Sequence, residues 1–116
     1  MPADPTVIAA SRAAGLATMP GFFTPSEAFT ALGAGADVLK LFPAETAGPQ
    51  HVSALKAVLP KGTRIAVVGG VDANSLALWR AAGAAGFGIG SWLYKPQRSA
   101  ADVGARAREL VSAWQA

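Results

Sequence analysis

Val38-Leu39-Lys40-Leu41-Phe42-Pro43 is a short apolar run broken by one lysine. Its length and composition read as a strand covered on both faces, as in a parallel sheet. Lysine is almost never fully buried unless it is paired or used. In such a strand desolvation disfavours the ammonium form and draws the pKa down. A lysine that gives up its proton near neutral pH is a nucleophile toward carbonyl carbons, which makes Lys40 a candidate for Schiff-base chemistry. The competing reading is an exposed edge strand whose lysine blocks strand addition. The flanking sequence bears on the choice.

Strand-like and helix-like stretches alternate on both sides of this run. Residues 5–14 read as a helix capped by Asp4, with Pro5 in its first turn and Gly15 ending it. Leu16–Met19 reads as a strand running into the turn Pro20-Gly21-Phe22-Phe23. Thr24-Pro25-Ser26-Glu27 has the spacing of a capping box and opens a helix to about Leu32. A loop from Pro43 to Pro49 leads to a helix over about Gln50–Val58. Arg64–Val68 is a β-branched strand ending in Gly69-Gly70. Asp72 caps a helix from Ala73 to about Ala82, Ala85–Ile89 is the last strand, and Ser99 or Asp102 opens a final helix to about Trp114. One-way alternation with short loops implies four parallel strands, each followed by a helix and preceded by one more helix. No linker divides residues 1–116, which read as a single domain.

The chain has 116 residues, 52% hydrophobic and only 15% charged, which excludes a disordered chain and suggests elements buried on several sides. With no cysteine and a single histidine, disulfides, thiolate nucleophiles and multi-histidine metal sites are excluded. His51 follows Gly48-Pro49-Gln50 and reads as an exposed residue at a helix start. The net charge of +3 is spread along the chain and not interleaved with aromatics, so no nucleic-acid partner is expected, whereas an anionic small substrate suits it. No stretch is long enough to span a membrane and no signal-peptide pattern opens the chain, which fits a cytoplasmic protein. No metal or cofactor is expected.

In parallel α/β folds, chemistry gathers beyond the carboxyl ends of the strands. Here those ends carry Pro20-Gly21-Phe22-Phe23-Thr24, then Lys40 with Phe42-Pro43-Ala44-Glu45, then Gly69-Gly70-Val71, then Gly90-Ser91-Trp92. Glycines after two consecutive strands let backbone N–H groups approach an anion, and Ser91 adds a hydroxyl, so these loops read as a phosphate site. Taken singly, Gly69-Gly70 reads more readily as a tight strand-to-helix turn than as an anion site. Phe42 shares the face of Lys40 and either shields an imine or simply packs. Glu45 is a loop residue or a water-positioning carboxylate.

Four blocks, Pro20–Glu27, Leu39–Glu45, Val67–Val71 and Gly88–Tyr94, resemble in order and spacing the 2-keto-3-deoxy-6-phosphogluconate and -galactonate aldolases. The resemblance covers essentially the whole chain and, as a set, the motifs are specific. It implies a class I aldolase on a (β/α)₈ TIM barrel, of which this chain matches only the C-terminal half, since family chains run to about 200 residues. It implies that Lys40 forms the imine with pyruvate or the keto acid and that Phe42 lies beside it. It also implies that Gly69, Gly70, Gly90 and Ser91 hold the phosphate. Val68 stands where gluconate-type enzymes tend to carry threonine, and valine looks more like the galactonate type. The implied substrate is 2-dehydro-3-deoxy-6-phosphogalactonate, cleaved to pyruvate and D-glyceraldehyde 3-phosphate. The family's catalytic glutamate belongs to the half that is not matched, which implies impaired turnover. A half-barrel leaves two open sheet edges, so we expect a homo-oligomer (the family suggests a trimer) or pairing with a chain supplying the other half. The alternatives are a non-catalytic, oligomerising half-barrel that binds phosphorylated ligands, and a phosphate-binding barrel enzyme without lysine chemistry.

Overall fold

The computed structural model describes Met1 and residues 3–116. In chain order its elements are α1 (Pro5–Ala13), β1 (Gly21–Phe22), α2 (Pro25–Gly33), β2 (Leu39–Leu41) and α3 (Ala44–Ala47). They continue with α4 (Pro49–Val58), β3 (Ile65–Val68), α5 (Leu76–Ala82), β4 (Gly86–Gly88) and α6 (Ala100–Gln115). The four strands form one parallel sheet in the order β1-β2-β3-β4. Consecutive strands are neighbours, with at least one helix crossing over between each pair. Among the described residues, no helix is long and apolar enough to cross a membrane.

The register explains how one sheet acquires two different faces. One row runs Phe22, Leu41, Val67, Phe87 and the next runs Gly21, Lys40, Ala66, Gly86. Successive side chains on a strand point to opposite faces. Leu39, Leu41, Ile65 and Val67 are fully buried and join Ala28, Ala31, Val52, Leu55, Leu76, Trp79 and Leu110 in one apolar core. The helices therefore cover the leucine face. The lysine face carries small residues and belongs to no such core, and Met19, at the amino end of this face, is exposed. The run around Lys40 is thus covered on one face, where the sequence suggested two.

Several boundaries follow from local chemistry. Asp4 caps α1 by accepting from the Thr6 N–H at 2.9 Å. Thr24 and Glu27 form the expected capping box, with Glu27 Oε1 accepting from the Thr24 N–H at 2.9 Å and Thr24 Oγ1 from the Glu27 N–H at 3.2 Å. Ser99, rather than Asp102, caps α6. Leu16–Met19 is not a ladder strand; pairing begins later, at Gly21–Phe22. The reason is that Thr18 is engaged at the bottom of the sheet. Its N–H donates to the Asp37 carboxylate at 2.7 Å, and its carbonyl accepts from Asp37 and Val38. Helix α5 begins at Leu76, not Ala73, because Asp72 and Ser75 bond reciprocally and close a turn first. The segment Pro43–Pro49, read as a loop, contains the one-turn helix α3.

Candidate active site

Lys40 lies in the middle of β2, half-buried between fully buried Leu39 and Leu41. Its backbone N–H donates to the Pro20 carbonyl at 2.9 Å. Its flanking positions in the register are Gly21 and Ala66. Neither has a long side chain, so the lysine stem lies across the sheet; its Cε is 3.4 Å from where a Gly21 Cβ would sit. A larger residue at 21 would compete for that space. Met1 lies along the outer edge of β1, its carbonyl accepting from the Gly21 N–H at 2.6 Å. Repulsion from Lys40 is the main reason that the Met1 ammonium is held below its ordinary value, with hydrogen bonding to Lys40 and burial adding to it. Two amines therefore share this corner of the open face.

Beyond the carboxyl ends of β2, β3 and β4 lies a cavity of about 510 Å³. Phe42, Val68, Gly69, Gly70, Gly90 and Ser91, all singled out from sequence, line it together. Lys40 is not part of this lining. It precedes Phe42 by two residues on the same strand face, a step of roughly 6.5 Å along β2. Phe42 is 54% exposed, so it is not a core residue. Its ring rests against the Gly69 backbone, with Cδ2 3.0 Å from the site of a Cβ at 69.

The paired glycines are required twice over. Gly69 and Gly70 have φ of 99° and 70°, a region that side chains with a Cβ rarely adopt. A Cβ at Gly70 would also collide with Glu45. Glu45 holds this corner through its backbone, donating to the Gly69 carbonyl at 3.0 Å. Its carboxylate lies against Gly70.

Six further lining residues were not singled out as site residues from the sequence: Val71, Asp72, Gly88, Trp92, Lys95 and Arg98. In the sequence, Lys95 and Arg98 are two of ten basic residues spread along the chain. The signal was their spacing, four and seven residues after Ser91. It became meaningful only when the turns after β4 folded them back over the cavity. The backbone N–H groups of Gly70, Ser91 and Trp92 have no hydrogen-bond partner among the described residues. A pocket with free amides, a hydroxyl and two cations is suited to a phosphate group.

His51 is half-buried, not exposed as expected. Its Nε2 is 2.7 Å from the Phe23 carbonyl oxygen, and the two rings stack with centroids 5.1 Å apart. It thereby joins α4 to the loop that leads from β1 into α2.

Known proteins resemble this chain over nearly its whole length. The family model described as KDPG and KHG aldolase matches residues 4–106. The chain is 48% identical over 113 residues to a probable 2-dehydro-3-deoxy-6-phosphogalactonate aldolase of Rhizobium meliloti, covering 97% of this chain and 53% of the relative. It is 46% identical over 101 residues to the 2-dehydro-3-deoxy-6-phosphogalactonate aldolase of Escherichia coli, covering 87% of this chain and 49% of that one. A solved structure described as native KDPGal superposes with a TM-score of 0.93 at 44% identity, over 97% of this chain and 54% of that one. The chain thus spans about half the length of the curated relatives it matches. With its lysine-bearing strand and its glycine loops carried on the matched segment, the chain belongs to the KDPG and KHG aldolase family.

Proposed function

We propose that the chain carries the Schiff-base and phosphate-binding half of an aldolase that cleaves 2-dehydro-3-deoxy-6-phosphogalactonate to pyruvate and D-glyceraldehyde 3-phosphate. The observation that carries this reading is the placement of Lys40. Its stem crosses the open, small-residue face of the sheet over Gly21, and Phe42, two residues further along the same strand, lines a cavity rimmed by two glycine loops. In this reading the deprotonated amine attacks the C2 ketone, and water leaves as the imine forms. The imine draws in the electron pair of the C3–C4 bond as the C4 hydroxyl gives up its proton. Glyceraldehyde 3-phosphate departs, the resulting enamine is protonated at C3, and water releases pyruvate from Lys40.

The phosphate end of the substrate sits on Gly69, Gly70, Gly90 and Ser91, and Phe42 flanks the reacting end. Val68 presents methyl groups where a threonine would offer a hydroxyl, which favours the galactonate over the gluconate substrate. The base for the C4 hydroxyl is assigned to no residue of this chain; lacking such a partner typically costs about 10²–10⁴-fold in rate. The sheet, with β1 and β4 at its edges, is read as the C-terminal half of an eight-stranded barrel. That half is completed by a further copy or by a chain bearing the other half.

Trapping tests the proposal. Incubation with pyruvate followed by borohydride should leave a stable adduct, assigned by peptide mapping to Lys40 rather than to the neighbouring Met1 amine. A folded chain that yields no adduct on Lys40 rules the reading out. A second reading, a non-catalytic phosphate binder, is favoured by the absence of an assigned acid-base partner. It predicts that phosphosugar raises the melting temperature while no adduct forms.

A further inference from the structure

The turns after β4 contain an ionic network that the aldol chemistry does not use. Arg98 Nη1 donates to the Ser91 carbonyl at 2.9 Å and to the Trp92 carbonyl at 2.7 Å. Arg106 Nη1 donates to the same Trp92 carbonyl at 2.9 Å, and its guanidinium lies 5.1 Å from the Trp92 ring centroid. Asp102 stands between the two arginines, 3.7 Å from Arg98 Nε and 3.3 Å from Arg106 Nε. The Arg98 side chain is only 18% exposed. The residue before it, Gln97, has φ of 76°, an unfavourable conformation for a residue with a Cβ. The chain thus holds a strained turn that folds Arg98 back beneath the loop.

We propose that Arg98 is a positioning residue for the phosphate site: it holds the Ser91 and Trp92 carbonyls away from the anion so that the loop's amides are free to bind it. In a planar trans peptide the C=O and the N–H that follows point in opposite directions. Holding the Ser91 carbonyl on the guanidinium therefore turns the Trp92 N–H away from Arg98. That N–H is one of those without a partner among the described residues. A carbonyl oxygen facing a phosphate repels it, so a loop free to flip its 91–92 peptide would bind poorly. Asp102 and Arg106 fix the clamp from α6. Lys95, exposed on the same cavity, has no such duty and acts directly as a cation toward the phosphate. The inference rests on the phosphate reading of the glycine loops, and the clamp can fail while that reading stands.

The test is a titration of the 116-residue chain with inorganic phosphate at fixed ionic strength, read from backbone amide NMR resonances. In the wild-type chain the Gly70, Ser91 and Trp92 amides should shift on titration. Arg98→Ala should weaken binding by about tenfold or more and should change the Ser91 and Trp92 amides before any phosphate is added. Arg98→Lys keeps the charge but not the fork, so it should remain folded and still bind less tightly than wild type. Lys95→Ala should weaken binding without altering the unliganded loop. If Arg98→Lys or a folded Arg98→Ala binds as tightly as wild type with an unchanged loop, the clamp is wrong while the phosphate reading stands. If the wild-type amides do not move, the phosphate reading fails and the clamp fails with it.

Discussion

Lys40 is a residue whose environment is set by its neighbours' smallness. Gly21 and Ala66 flank it in the register, and its stem crosses the glycine. Because Lys40 is only half-buried and bears no packing duty in the leucine core, Lys40→Ala should remove the borohydride-trapped adduct while moving the urea midpoint little. A Lys40→Ala chain that still gives the same adduct would place the chemistry elsewhere, with the Met1 amine the first suspect. Gly70 makes the opposite prediction. Its positive φ and its contact with Glu45 leave no room for a Cβ. Gly70→Ala should cost about 1–2 kcal/mol from backbone conformation, with crowding adding to it, and should abolish the phosphate-dependent shifts. Denaturant melts together with the phosphate titration check both parts. The residue types at 69–70 and 90–91 were legible as a candidate anion site because glycines recur after two consecutive strands and Ser91 adds a hydroxyl. Lys95 and Arg98 were not, because nothing in a linear sequence says which surface cations fold back over a loop.

Elements here are short, so their ends carry much of their stability. Helix α2 has a complete capping box, and Thr24→Ala should cost about 1 kcal/mol. Glu27 contributes a pH signature. Its carboxyl is held below its ordinary value chiefly by the Thr24 backbone N–H, then by the Thr24 hydroxyl and the Phe23 N–H. A lowered carboxyl contributes stability that is present above its unfolded value, near 4.5, and is lost as the pH falls through the folded value. Glu27→Gln should therefore flatten the loss of stability on the acid side of that pH, measured by thermal melts at stepped pH. The strands depend on burial instead. Leu41 is fully buried on the helix-covered face, and Leu41→Ala should cost about 2–5 kcal/mol in a denaturant melt. Caps at Asp4 and Thr24 could be read from residue type and spacing, since a side-chain oxygen reaches the first free N–H groups only from that position. The start of α5 could not, because Asp72 and Ser75 satisfy each other first, so that Ser75 stands at the N-cap without a side-chain capping bond.

At the scale of the whole molecule, the sheet's two faces differ sharply. One is packed by helices; the other presents Val38, Lys40, Ala66 and Val68 and ends at β1 and β4, edges without a strand partner among the described residues. Such a sheet should associate in solution, and sedimentation equilibrium should return a mass above that of a single chain. A monomer at all concentrations would remove the case for completion by a further copy. The sequence by itself determined the parallel α/β order, the lysine strand, the glycine loops and the family, because periodicity, caps and residue type are local properties that survive in a linear text. The tertiary structure alone decided that the lysine strand is covered on one face, not two, since register assigns a whole row of residues to a face at once. It also decided that His51 is tied to Phe23 and that Arg98 and Arg106 grip the Ser91–Trp92 carbonyls. Those contacts join residues whose meeting depends on how helices and turns lie across the sheet.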